Sequence, residues 1–115
     1  MTQQTDEAMR ALRMYTFREA ELHVIRWAEA RGIIPHAAPA SQLLKLVSEV
    51  GELCDAEGKR DREATADAVG DVLVCLINYC ALRDLDVTQC LVGAYAQIKD
   101  RRGRLMPDGT FVKEP

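Results

Sequence analysis

The sequence predicts an all-α protein, a bundle of four helices closed by a short C-terminal hairpin. Three observations point there. Aromatic residues make up only 5% of the chain and apolar residues 48%, so Leu, Val, Ile and Ala must fill the core. Apolar positions recur at three- and four-residue spacing, the period of an amphipathic helix. The breaks between these stretches are short and marked by Gly, Pro or Asp, as expected where neighbouring helices in a bundle are joined.

The first helix is predicted from Asp6 to about Arg31, with Leu22, Val24, Ile25 and Ala28 recurring at helical spacing and Gly32 as its stop. "GIIPHAAPAS" follows as a loop, punctuated by Pro35 and Pro39. The second helix runs from about Ser41 to Glu57 and ends at Gly58. Its stripe is Leu43, Leu46, Val47, Val50, Leu53 and Cys54. Asp61 can cap a third helix, about Arg62 to Arg83, with Glu63 in its first turn. This helix is apolar on nearly every side through "VLVCLINYCAL", so it belongs in a core or between subunits. A homodimer or a dimer of dimers is expected on that ground.

Asp86 begins the fourth helix, with Val87, Leu91, Tyr95 and Ile98 on one face and an end near Gly103. In the tail "RLMPDGTFVKEP" a Pro-Asp-Gly turn separates short apolar pairs, the pattern of a small hairpin. The 115 residues suit one domain with a single modest core, about residues 6–103, followed by a tail over 104–115.

A net charge of −3 argues against a nucleic-acid partner, because binding a polyanion needs a basic field. A small anionic ligand stays compatible if a cation screens it. Cys54, Cys75, Cys80 and Cys90 contain no C-x-x-C spacing. They read as reduced small hydrophobes in a cytoplasmic protein. The start "MTQQTDEAMR" is polar rather than signal-like, and the apolar run "VLVCLI" is too short to cross a bilayer, so no membrane role is expected.

The chemistry concentrates on the second and third helices. "KLVSEVGELCDAEG" sets Glu49 at the edge of the apolar arc and Glu52 about 60° further round, with Lys45 on the same side. On the third helix Asp67 and Asp71 share a face, and Asn78 lies about 10 Å further along nearly the same line. A polar line through apolar surroundings is costly unless something satisfies it. Four acids from two helices repel one another as a bare cluster, and a hard divalent cation removes that penalty. Mg²⁺ takes oxygen ligands and commonly joins a few carboxylates to substrate phosphates. Two plainer readings stand beside this one. Glu49 and Glu52 would also suit a solvated helix face, and Asp71 would also suit an ion pair with an Arg or Lys from elsewhere.

Further candidates are weaker. Lys99, Arg101, Arg102 and Arg104 cluster where the fourth helix ends, and basic residues suit a helix C-terminus. Asn78 suits a base or sugar contact, or a satisfied core amide. His23 and Trp27, four apart, suit an edge-packing pair, and Trp27 also suits the wall of a base site. His36 receives no role.

"QLLKLVSEVGEL" followed by "DAVGDVLVCLIN" resembles the MazG-like, all-α nucleotide pyrophosphohydrolases, and "AYAQIKDRRGRLMPDGTFVKE" resembles their short phage-type members. The likeness spans about residues 20–114. The family pattern is E-E-x-x-E on one helix and E-x-x-D on the next, binding Mg²⁺. Glu49 and Glu52 match the second and third acids of the first motif, and Asp71 the last of the second. Ser48 and Ala68 stand where the family has Glu. The resemblance implies an enzyme cleaving a nucleoside or deoxynucleoside triphosphate to monophosphate and pyrophosphate. It assigns Glu49 and Glu52 as catalytic and metal-binding and Asp71 as a metal ligand; Asp67, one turn from Asp71, is the candidate to stand in for the absent Glu at 68. Mg²⁺ is the expected cofactor, with Mn²⁺ as a substitute. Lys99 and Arg102 are implied as phosphate ligands; Lys45, Asn78 and Trp27 are the substrate-binding candidates from the residues themselves.

Overall fold

A computed structural model describes residues 6, 7, 10 and 15–115 of the chain. Its elements are α1 (Phe17–Ala30), α2 (Ile33–His36), α3 (Pro39–Gly58), α4 (Arg62–Leu82), α5 (Val87–Ile98), β1 (Gly103–Leu105) and β2 (Phe111–Lys113). The chain divides into two compact units, Met1–Leu85 and Asp86–Pro115.

In the first unit α4 is central. α3 packs along it, and α1 and α2 also lie against it. Asp61 caps α4 as the sequence predicts, its carboxylate accepting from the Ala64 N–H at 3.0 Å. The turn before it needs a left-handed residue, supplied by Arg60 at φ 51°. By length and apolarity α4 equals a helix able to cross a membrane. The central helix of a packed unit has the same composition, and Ala68, Cys75, Ile77, Asn78 and Cys80 are buried along it.

The first helix departs from the sequence expectation. Asp6, Glu7 and Arg10 are helical, but Tyr15 and Thr16 are not, and α1 starts afresh at Phe17. The other residues of 6–14 in that predicted helix lie outside the described ones. The cause is a capping box. Thr16 Oγ1 accepts from the Glu19 N–H at 3.1 Å, and Glu19 Oε1 accepts from the Thr16 N–H at 3.4 Å. The proline-marked loop is also more ordered than predicted, forming the one-turn α2 with a cis Ile34–Pro35 bond. Pro39 opens α3 two residues earlier than expected, because a proline at the first helical position has no N–H to lose.

The stripe predicted to bury α3 is half uncovered. Leu46 and Leu53 are half-buried, whereas Val47 is 67% exposed and Leu43, Val50 and Cys54 are exposed as well. On α4 itself Val69 and Leu73 are exposed.

In the second unit α5 ends at Ile98, short of the predicted Gly103. Lys99 is its C-cap, Arg101 and Arg102 lie in the connector, and Arg104 lies on β1. The basic cluster therefore compensates a helix end only through Lys99. The strands pair antiparallel with Gly103 opposite Lys113. Gly109 closes the turn at φ 90°, and Asp108 Oδ1 accepts from the Thr110 N–H at 2.9 Å. That bond holds the Asp108 carboxyl below its usual range.

Candidate metal centre

α3 and α4 bring three carboxylates together. One oxygen each from Glu49, Glu52 and Asp71 lies within 4.8 Å of the others. The helical repeat explains why: Glu49 and Glu52 are one turn apart on α3, and α4 lies along that side of it.

Glu49 is the innermost of the three. Its Oε2 is buried and has no hydrogen-bond partner. Its carboxyl is pushed above the ordinary range, first by a hydrogen bond in which protonated Glu49 donates to Glu52. Desolvation and the charges of Glu52 and Asp71 raise it further, and Lys45 opposes them. Like charges gathered around an unsatisfied oxygen are the arrangement that a divalent cation would relieve, and an all-oxygen donor set suits Mg²⁺ or Mn²⁺. The residues fit a metal ion.

Two hollows meet at this triad. One, of about 380 Å³, is lined by Glu52 and Asp71 together with Asp55, Lys59, Asp67 and Ala68. The other, of about 300 Å³, is lined by Glu49 and Asp71 together with Lys45, Trp27, Cys75 and Asn78. In the second hollow Asn78 is 2% exposed, and its Oδ1 is buried without a partner. Among the described residues that oxygen has no partner of the kind a satisfied core amide, one of the two sequence readings, would need. Burial pushes the neighbouring Cys75 thiol up, so it is protonated at neutral pH. Trp27 also borders a third, more apolar hollow with His23, Val24, Asp71 and Val74. His23 stacks on Tyr15 with ring centroids 4.7 Å apart.

Of the sequence-predicted residues, Glu49, Glu52 and Asp71 converge, and Lys45, Asn78 and Trp27 share a hollow with two of them. Asp67 is not one of the three converging acids but lines the acidic hollow beside Asp71 and the buried Ala68. Lys99 and Arg102 belong to the second unit, where Lys99 lies 3.7 Å from Asp100. Sequence reasoning gave no role to Lys59 or Cys75. It also passed over Glu21, which is 4% exposed and paired with Arg18 at 2.9 Å. Their i,i+3 spacing in "FREAEL" was the available signal.

No protein-family model matches the chain. A curated relative is the uncharacterised 18.2 kDa protein in the rep-hol intergenic region of Haemophilus phage HP1 (strain HP1c1). It is 33% identical over 55 residues, a match that takes in 48% of this chain and only 34% of that protein. Among solved structures the chain is similar to the cyanophage S-2L MazG-like pyrophosphohydrolase, bound there to dGDP and three catalytic Mn²⁺ ions per active site. The match has a TM-score of 0.68 and 24% identity, and it covers 89% of this chain and 96% of that one. The architecture is thus a MazG-like all-α fold, as the sequence resemblance implied.

Proposed function

We propose that the protein is a nucleotide pyrophosphohydrolase, converting a nucleoside or deoxynucleoside triphosphate and water to the monophosphate and pyrophosphate. The observation that carries this reading is the convergence of Glu49, Glu52 and Asp71 around an unsatisfied buried oxygen, within a MazG-like fold. These three residues would hold Mg²⁺ or Mn²⁺, with Asp67 beside them. The bound cation would supply charge screening for the phosphates and a more acidic water.

The chain's own groups account for the rest. A water oxygen forms a bond to phosphorus while a bridging P–O bond breaks, its electron pair staying on the bridging oxygen. Glu49 or Glu52 accepts the proton that the water loses. Lys45 offsets negative charge beside Glu49. Asn78 Oδ1 accepts a hydrogen bond from a donor on the base or sugar, and Trp27 offers the flat face against which a base would lie. The working form is a cytoplasmic homodimer or dimer of dimers. The uncovered apolar positions of α3 and α4 support this.

The decisive experiment measures pyrophosphate release from a panel of ribo- and deoxyribonucleoside triphosphates with Mg²⁺ or Mn²⁺. Metal-dependent release that Glu52→Ala abolishes is the expected result. A second reading, a nucleotide-binding module without catalysis, is favoured by one observation: the buried residue 68 is Ala, and Asp67 lies outside the triad. Nucleotide binding without any release would select it.

A further inference from the structure

The C-terminal unit, Asp86–Pro115, has no buried residue. Folded units below about 40 residues usually need a disulfide, a metal or another chain to hold them. Cys90 is a free thiol and the carboxylate triad lies in the other unit, so the described residues of this one offer neither of the first two devices. α5 shows where the third would act. Val87–Ile98 carries no charged side chain, yet Leu91 is 67% exposed and Tyr95 61%. Leu91, Tyr95 and Ile98 fall within about 60° of one another on the helix, with Val87 and the small Ala94 beside them. An uncharged helix with such a face belongs inside an interface. The area is available too. The chain exposes 9200 Å², about 2,900 Å² more than a folded monomer of 12.8 kDa, whereas a specific interface takes about 800 Å² from each partner.

We infer that α5 pairs antiparallel with α5 of a second copy, about a two-fold axis level with the Val92–Gly93 bond. The helix is self-complementary about that point. Val87 of one copy faces Ile98 of the other, and Leu91 faces Ala94, a large side chain against a small one. Asp86, which caps α5 through the Gln89 N–H, comes level with Lys99 of the other copy. Lys99 lies 3.7 Å from its own Asp100, so Arg101 and Arg102 carry the net positive charge of that end. Opposite charges thus meet at both ends of the pair. A parallel pair would instead set Asp86 beside Asp86 and gather the like ends of the two helix dipoles. This inference rests on the assembly proposed above, names a contact for it, and is independent of the chemistry at the triad.

The test uses two single variants of the full chain, Leu91→Lys and Ala94→Glu, both of which introduce good helix formers. Each alone should weaken self-association in sedimentation about tenfold or more, the scale of losing a central apolar anchor, with helicity by circular dichroism unchanged. Mixed in equal amounts, the two should assemble like the parent. The introduced ammonium then faces the introduced carboxylate across one contact, and the native Leu91–Ala94 pair closes the other. Single variants that stay dissociated when mixed would overturn the α5–α5 pairing and assign the face to another surface. Unchanged association of both singles would overturn any role of α5 in assembly. In the parent, hydrogen exchange at the Tyr95 and Ile98 amides should slow as concentration rises through the association midpoint. Concentration-independent exchange would overturn the pairing even where a variant fails to fold. A parent that stays monomeric would overturn the proposed assembly together with this contact, whereas an oligomeric parent with unaffected variants overturns the contact alone.

Discussion

Ala68 is the position where restoring one carboxylate should have the largest effect. It is 5% exposed, yet it lines the hollow of about 380 Å³ beside Asp67 and Asp71, so a longer side chain has room to extend. Residue 68 precedes Asp71 by three positions, which on a helix places the two Cβ atoms about 5–6 Å apart. A Glu there can share a cation with Asp71. Losing an outer partner of a metal site already costs about 10–100-fold in affinity, so gaining a direct ligand should bring about tenfold or more. Tenfold is about 1.4 kcal/mol, which at excess metal adds directly to the stability of the bound form. For a domain near this size that is about 5 °C of additional metal-induced shift in Tm. Without metal the sign reverses, since a further like charge joins the triad and Tm should fall. Thermal melts with EDTA or Mn²⁺, calorimetry and pyrophosphate release measure all three quantities. A folded Ala68→Glu protein with unchanged Mn²⁺ affinity would refute the reasoning. Asp67→Ala sharpens the result: activity lost in the parent but kept in the Ala68→Glu background identifies Asp67 as the stand-in ligand.

Four other outcomes are expected. Glu49 has its carboxyl raised by folding, so its contribution to stability is complete below the ordinary carboxyl pKa and is lost as pH rises through the raised value. Glu49→Gln should therefore raise the metal-free Tm at neutral pH while abolishing the metal-induced shift; a lower metal-free Tm would contradict the repulsion argument. For the same reason Mn²⁺ affinity of the parent should fall on acidification toward that raised pKa, which calorimetry across pH would detect. Sedimentation at micromolar concentration should show a dimer or tetramer, and a stable monomer would count against the covered-face reading. In the hairpin, a Cβ on Gly103 would run into the Val112 carbonyl and approach the Phe111 ring to 2.6 Å. Gly103→Ala should open the strand pair, read as faster hydrogen exchange at Met106 N–H and Glu114 N–H, whose partners are the Thr110 and Arg102 carbonyls; unchanged protection would refute it.

The parts of the fold legible in the sequence were those with local causes. Asp61 and Asp86 cap their helices because a carboxylate there satisfies free backbone N–H groups, a rule that needs no tertiary information. The Pro-Asp-Gly turn was readable for the same reason. "TFRE" carries the full capping-box signature at Thr16, a helix start that the helix expected from Asp6 runs straight through. The convergence of Glu49 and Glu52 with Asp71 followed from two helical wheels and one assumption, that the helices face each other. The two hollows did not follow, since they depend on how α3 and α4 pack, with the small buried Ala56 and Ala68 lining one of them. Lys59 was therefore invisible as a lining residue of the acidic hollow: on a wheel it is only a charged group at a helix end.

The distribution of burial connects stability to binding. The buried apolar residues among those described are Ala28, Ala56, Ala68, Cys75, Ile77 and Cys80, and no large side chain is completely enclosed. Burial of small side chains gives little transfer free energy, at about 25 cal/mol per Å² of apolar surface. Meanwhile Leu44, Val47 and Val69 stay exposed, and three carboxylates are held together where α3 meets α4. Each feature is unfavourable for one chain by itself, and each has a different remedy. A second copy laid over α3 and α4 would remove apolar surface from water, and a cation would turn carboxylate repulsion into attraction. The acids cannot be exchanged for apolar residues to gain stability without losing the chemistry. A MazG-like fold that keeps them should thus have a stability that depends on its ligands more than on its own core.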